Sequence, residues 1–262
     1  MVYVRDSCEA AILVPPLEAL TLKPRQTSLS LSLVLPTYNE RQSLPALLIQ
    51  LTSLLDRLLP LDYELIVVDD DSPDRTWELA GELAQKYPNL RVLRRCGERG
   101  LASAVVRGWQ SARGEILGVM DADLQHPPAT LPALLQVLEQ GADLAIASRR
   151  TGRDSSPGWP WLRRWLSSGA RWLGWLLLPQ AVSRTRDPLS GYFLVRHTAL
   201  VNCELAPVGY KILLEVLSRG HIRELRDVDY TFSPRRAGQS KVTQRHYWDY
   251  LRHLWRLRRQ TL

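Results

Sequence analysis

The sequence predicts an α/β fold with a mainly parallel central sheet covered on both faces. Three observations predict it. Short apolar runs of strand length alternate with segments of helical period as far as Ser148. The runs are near-continuous in Leu, Ile and Val, as in strands buried on both faces. Acidic residues gather after several of them, and open α/β sheets bind ligands beyond the carboxyl ends of their strands.

Residues 29–35 form the first strand of this series, rich in Leu and Val and closed by Pro36. Residues 43–59 carry Leu44, Leu47, Leu48, Leu51, Leu54, Leu55 and Leu58 at helical spacing. Residues 63–68 are the next strand, ended by three aspartates, and Asp74 is placed to cap a helix over 75–86. Residues 90–93 read as a strand, 100–112 as a helix, and 116–120 as a strand again ending in acid. A helix over 132–140 and a strand over 144–148 complete the alternation. Beyond it, 158–178 is rich in Trp and Arg, and 187–195 is a strand-like run. Residues 211–219 read as a helix, 228–232 as a short strand and 243–260 as a basic, aromatic helical segment.

Residues 1–28 read as a poorly ordered extension with at most a small docking role. Its apolar patch, 10–14, is flanked by Asp6 and Glu9 and stopped by Pro15 and Pro16, which is not a clean signal peptide. The domain reading is therefore an extension over 1–28, an α/β domain over 29–241 and a basic amphipathic helix over 242–262. The chain has 262 residues, 45% of them apolar, enough for one large domain with a substantial core. Cys8, Cys96 and Cys203 are odd in number and far apart, which suits a reducing cytosol rather than a disulfide framework. No apolar run reaches 18 residues, so no transmembrane helix is expected.

The formal net charge is +7, which suits an anionic partner: nucleic acid, anionic lipid or a phosphorylated substrate. A non-catalytic basic module would explain this charge and the nine Trp residues. It would not explain acids after successive strands, which repel phosphate unless a cation intervenes. Nucleic acid is set aside on that ground. Asp121-Ala122-Asp123-Leu124-Gln125 is the most informative cluster: two carboxylates and an amide oxygen directly after an apolar strand. Hard oxygen ligands of this kind suit Mg²⁺ or Mn²⁺, with diphosphate oxygens completing the shell. Taken alone, the same residues also read as a solvated loop capping the next helix.

Pro36-Thr37-Tyr38-Asn39-Glu40, Asp69-Asp70-Asp71-Ser72-Pro73-Asp74 and Asp121-Ala122-Asp123-Leu124-Gln125 resemble, in order and spacing, the family 2 glycosyltransferases. Asp187-Pro188-Leu189-Ser190-Gly191-Tyr192-Phe193, Gly209-Tyr210-Lys211 and Arg235-Arg236-Ala237-Gly238-Gln239-Ser240-Lys241 resemble the dolichyl-phosphate mannose synthase branch of that family. The resemblance runs from about residue 29 to 241. It implies a GT-A nucleotide-sugar-binding sandwich and inverting transfer of a hexose to a polyprenyl phosphate. The expected donor is GDP-mannose; UDP-glucose, or another family 2 acceptor, is the alternative.

By this resemblance Pro36, Tyr38, Glu40 and Asp69 lie around the nucleoside, with Asp70 helping to fix base or ribose. Asp121, Asp123 and Gln125 lie at the metal and diphosphate. Arg149, at a strand end, is the acceptor-phosphate arginine, although an arginine there can equally pair with an acid. Arg163 and Ser167 match the same acceptor site. Ser168 stands where the family often has Arg, which weakens the alignment there. Arg235, Ser240 and Lys241 sit in a Gly-containing loop suited to closing over an anionic donor. Asp123, Arg149 and Asp187 are the candidates for catalysis, Asp187 as an organiser of the site or of its own turn.

Trp159, Trp161, Trp165, Trp172 and Trp175 alternate with Arg163, Arg164 and Arg171. They read as interfacial helices over 159–178 or as internal helices covering the sheet. The C-terminal segment, with Tyr247, Tyr250, Leu251, Leu254 and Leu257 and with Arg252, Arg256, Arg258 and Arg259 around them, reads either as a docked helix or as a membrane attachment. The expected location is peripheral, on the cytoplasmic face of a membrane, with or without an anchor borrowed from a separate subunit.

Overall fold

The computed structural model describes residues 20–24, 28–149, 177–206, 208–232 and 244–261. In chain order the elements are β1 (Leu20–Thr21), β2 (Leu29–Thr37), α1 (Leu44–Leu58), β3 (Tyr63–Asp69), α2 (Thr76–Lys86) and β4 (Leu90–Arg94). Then come α3 (Leu101–Ser111), β5 (Gly114–Val119), α4 (Leu131–Glu139), β6 (Leu144–Arg149), α5 (Pro179–Val182) and β7 (Phe193–Arg196). The last are β8 (Glu204–Leu205), α6 (Ile212–Arg219), β9 (Leu225–Tyr230) and α7 (Gln244–Thr261).

Seven strands form one sheet in the order β4-β3-β2-β5-β7-β6-β9. Neighbours are parallel except at β7, which is antiparallel to both β5 and β6. The side-chain alternation of β2 shows why both faces are covered. Leu31, Leu33 and Leu35 join a core with α1 and α4, whereas Val34 joins a second core with α3, α6 and α7. On that second face α3 rides close to the sheet. A Cβ on Gly108 would stand 2.6 Å from a methyl of Val34, so any larger residue there would push the helix off β2.

Three sequence expectations are corrected. The stretch up to residue 28 is not wholly a poorly ordered extension: β1 pairs antiparallel with β8, and Leu22 is buried and bridged to Val201. A two-residue strand is too short to show a period. The run over 187–195 is a strand only at β7. Its first part is a turn, closed by the Ser190 N–H donating to the Asp187 carbonyl at 3.1 Å. Pro188 supports that outcome, since it has no N–H for a ladder. The last strand begins earlier than 228, because β9 takes its register from β6, Leu144 opposite Leu225.

Helix α7 has two characters. Tyr250, His253, Leu254 and Leu257 are buried against the domain. Glu215 of α6, fully buried, meets His253 Nε2 at 2.8 Å and Arg219 Nε at 2.7 Å, which ties the two helices together. On the other side Trp248 and Trp255 are 73% and 54% exposed, with Leu251 between them. The helix is therefore docked and still presents an apolar stripe to solvent. No helix among the described residues is long and apolar enough to cross a membrane.

Candidate active site

The carboxyl ends of β2, β3, β5 and β6 share one edge of the sheet, and the antiparallel β7 begins at that same edge. Asp69, Asp70, Asp121 and Asp123 converge there because they end or follow parallel strands, and Asp187 joins them from the turn before β7.

Two of them are structural braces. Asp69 has no exposed surface: Thr37 Oγ1 and Ser72 Oγ each donate to Oδ2 at 2.7 Å, and the Ser72 N–H donates to Oδ1 at 2.8 Å. Burial pushes its carboxyl above the usual range, against the pull of those hydrogen bonds. Asp70, also buried, accepts Arg95 Nε at 2.7 Å and the Gly100 N–H at 2.7 Å. Burial raises its carboxyl too, with Arg95 opposing. Gly100, at φ +134, turns its N–H toward that carboxylate at the start of α3, a conformation L side chains rarely adopt. Both aspartates hold loops in place at the end of β3. Pro36 is buried at the end of β2. Tyr38 is half-buried beneath the Arg99 guanidinium, 5.1 Å from its ring centre. Glu40 accepts Ser43 Oγ at 2.6 Å.

The loop after β5 is built differently. Asp123 is buried, and its Oδ1 accepts the Gln125 N–H at 3.1 Å across a turn with Leu124 at φ 62. Asp121 lies against Gly191: a Cβ there would stand 2.4 Å from Asp121 Oδ2, so only glycine lets the carboxylate keep its place. Asp121 Oδ1 is buried without a hydrogen-bond partner among the described residues. An ionised oxygen left so is costly unless a cation takes it. No group of three or more His, Cys, Asp or Glu ligands gathers at one point among the described residues. Mg²⁺ is commonly held by one or two carboxylates, with phosphate oxygens and water filling the rest. Asp121 and Asp123 fit such an ion, with Gln125 beside them.

Arg149 ends β6 and forks onto Asp187, Nε to Oδ2 at 2.6 Å and Nη2 to Oδ1 at 2.9 Å. The arginine is 41% exposed and the aspartate almost wholly buried. Burial drives the Asp187 carboxyl up, but the Arg149 guanidinium more than offsets this, so it lies below the usual range. Two of the fork's donors serve Asp187, the pairing with an acid that the sequence also allows. Asp187 in turn sits in the turn before β7, which Ser190 Oγ ties to the Ala147 carbonyl at 2.7 Å. Lys211 donates to the Leu189 carbonyl at 2.9 Å. Burial lowers its ammonium to about 8, against the pull of Asp121.

Arg163, Ser167, Arg235, Ser240, Lys241 and the Trp-rich run over 159–176 lie outside the described residues. Gly191, His126 and Tyr230 were not legible as site residues from spacing. The one available signal was that Gly191 sits inside a motif that carries the resemblance, with His126 directly after another.

This is the α/β architecture of GT-A enzymes. Mannosyl-3-phosphoglycerate synthase from Rubrobacter xylanophilus shares it at TM-score 0.66 and 23% identity, over 88% of this chain and 75% of that one. Glucosyl-3-phosphoglycerate synthase from Mycobacterium tuberculosis, solved with Mn²⁺ and UDP-glucose, shares it at TM-score 0.61 and 23% identity, over 89% and 77%. The sequence model of glycosyl transferase family 2 matches residues 32–207, and the chain belongs to that family. It is 44% identical over 230 residues to dolichol-phosphate mannosyltransferase of Pyrococcus furiosus, covering 87% of this chain but 64% of that protein's length. It is 34% identical over 235 residues to dolichol-phosphate mannosyltransferase of Saccharomyces cerevisiae, covering 87% and 86%.

Proposed function

We propose that this chain transfers a mannosyl group from GDP-mannose to a polyprenyl or dolichyl phosphate at a membrane surface, with Mg²⁺ or Mn²⁺ as cofactor. One observation carries the reading beyond family membership. The unpartnered Asp121 oxygen and the Arg149 guanidinium, held by Asp187, lie at one edge of the sheet. The first suits a donor diphosphate on a cation, the second an acceptor phosphate. When bound, the cation offsets the charge that develops on the leaving diphosphate. A polyprenyl phosphate is already an oxyanion near neutral pH, so the chain's task is to orient it and exclude water. Asp187 holds the Arg149 plane in place, and the remaining face of that guanidinium positions the attacking oxygen for in-line displacement at the sugar's C1. Arg163, Ser167, Arg235 and Lys241 complete this reading as further phosphate contacts, and Tyr38 and Glu40 as nucleoside contacts.

The test is a donor screen with a short polyprenyl phosphate, following nucleoside diphosphate release. GDP-mannose should be turned over well above UDP-glucose, and lipid-linked mannose should appear in equal amount. Turnover of UDP-glucose instead would replace the donor, and transfer to a soluble sugar alone would replace the acceptor.

The proposed location is peripheral, on the cytoplasmic face of a membrane, with or without a separate anchor subunit; the outer stripe of α7 supports the contact with a membrane surface. Trp248, Leu251 and Trp255 recur at helical spacing, and Arg259 lies over the Trp255 ring at 3.7 Å. Rings beside guanidinium groups suit a lipid headgroup layer. The chain should float with anionic vesicles at low salt and less at high salt. Trp248→Ser with Trp255→Ser should abolish flotation without moving Tm. Equal flotation of this variant would remove α7 from the membrane contact.

A further inference from the structure

Beneath the loop that carries Asp121 and Asp123 lies an aromatic pocket that the proposed reaction does not use. His126 is buried in it, ringed by Tyr192, Tyr230 and Phe232 at centroid distances of 5.6, 5.6 and 5.3 Å. The pocket has a polar thread. Tyr230 Oη lies 2.8 Å from His126 Nδ1, and His126 Nε2 lies 3.5 Å from Asp121 Oδ2. The second distance is an electrostatic contact at the long limit of a hydrogen bond.

The protons along this thread can be placed. Burial raises the Tyr230 hydroxyl far above its ordinary range, so it keeps its proton. An ionised carboxylate can only accept. In the tautomer whose Nδ1 accepts the tyrosine's hydrogen bond, Nε2 carries the N–H and faces Asp121. In that tautomer neither nitrogen offers a lone pair to a cation. The imidazole serves the carboxylate, not the metal.

On its opposite flank Asp121 Oδ2 meets Gly191, whose absent side chain leaves just enough room. The carboxylate is thus confined between an imidazole N–H and a backbone, and the oxygen left without a partner is Oδ1. We propose that His126 is a positioning residue: anchored by Tyr230, it fixes the Asp121 carboxylate so that Oδ1 is presented to the cation of the donor diphosphate. The inference rests on the two-carboxylate metal site proposed above. Partners that orient a metal ligand commonly contribute about 10–100-fold to metal affinity.

The experiment is a Mn²⁺ titration in the presence of GDP, read by the paramagnetic resonance of free Mn²⁺. Thermal unfolding and turnover against Mn²⁺ concentration are measured in parallel. His126→Phe keeps a ring in the pocket and removes the N–H. It should weaken Mn²⁺ binding about 10-fold, while kcat at saturating Mn²⁺ stays near wild type. His126→Gln, which returns an amide N–H toward Asp121, should recover much of the loss. Tyr230→Phe should weaken Mn²⁺ binding to a smaller extent, and should add nothing in the His126→Phe background, because the two act through one thread. A lowered Tm with unchanged Mn²⁺ affinity in His126→Phe would reduce the imidazole to packing and overturn the inference. That result would leave the metal site standing as long as Asp123→Ala still loses Mn²⁺. If wild type and Asp123→Ala bind Mn²⁺ alike with GDP present, the metal site itself falls and the inference with it.

Discussion

Arg149→Ala should cut transfer to polyprenyl phosphate by on the order of 10²-fold, about 2.7 kcal/mol of transition-state stabilisation. The guanidinium is pinned by Asp187 on one side and lies 5.6 Å from the Phe232 ring centre. What it still presents can grip a phosphate oxygen and orient it. GDP affinity in the presence of Mn²⁺, read by calorimetry, should change little. The variant also leaves the buried Asp187 without its main partner, so some loss of stability is expected. A second substitution separates the two effects. Adding Asp187→Asn to Arg149→Ala removes the orphaned charge and should restore part of the Tm, but it should not restore transfer. Arg149→Lys should rescue only a fraction, since an ammonium keeps the charge without the planar fork. If GDP binding collapses in step with transfer, Arg149 belongs to the donor side and the acceptor assignment is wrong.

Asp123→Ala should lose divalent-dependent turnover by on the order of 10³-fold, the scale of removing a ligand from a cation that neutralises a leaving diphosphate. Asp123 also closes the turn by accepting the Gln125 N–H, so alanine loosens the loop as well as the ligand set. Asp123→Asn keeps that acceptor and removes the charge. If both variants keep wild-type Tm and both need far more Mn²⁺, charge at the metal is the cause. If asparagine retains full turnover at ordinary Mn²⁺, the carboxylate is a turn-former and the metal rests elsewhere.

The acidic edge was legible in the sequence because chain direction does the work. An aspartate directly after an apolar parallel strand must emerge at the carboxyl end, whatever the strand order. Asp70, Asp121 and Arg149 were therefore placed at the right edge before any topology was known. Their partners were not legible. Asp187 is 38 residues from Arg149, and Gly191 is 70 from Asp121, so no local period links them. Both arrive through β7, whose reversed direction cannot be read from three apolar residues and an arginine. Likewise Asp69 and Asp70 were assigned to the nucleoside by motif, whereas their burial and their use as braces depend on Ser72, Arg95 and Gly100 folding over them. The outcome at α7 had a similar cause: its period shows one apolar face, but not whether that face meets the domain or lipid.

The reversed strand also governs the order in which the molecule can be built. Strands β2 to β5 hydrogen-bond among themselves, and they are complete once residue 119 has been synthesised. Strand β6 bonds to none of them; its neighbours are β7 and β9, both made later. During synthesis the chain therefore passes through a stage with half a sheet and a loose apolar strand awaiting distant partners, a slow and aggregation-exposed step for a sheet of this kind. Asp121 sits at the seam and meets Gly191 only when β7 docks. The acidic loop thus gains its final shape late, so a nascent or truncated chain lacking β7 has the strands of the first half-sheet without the finished Asp121 contact.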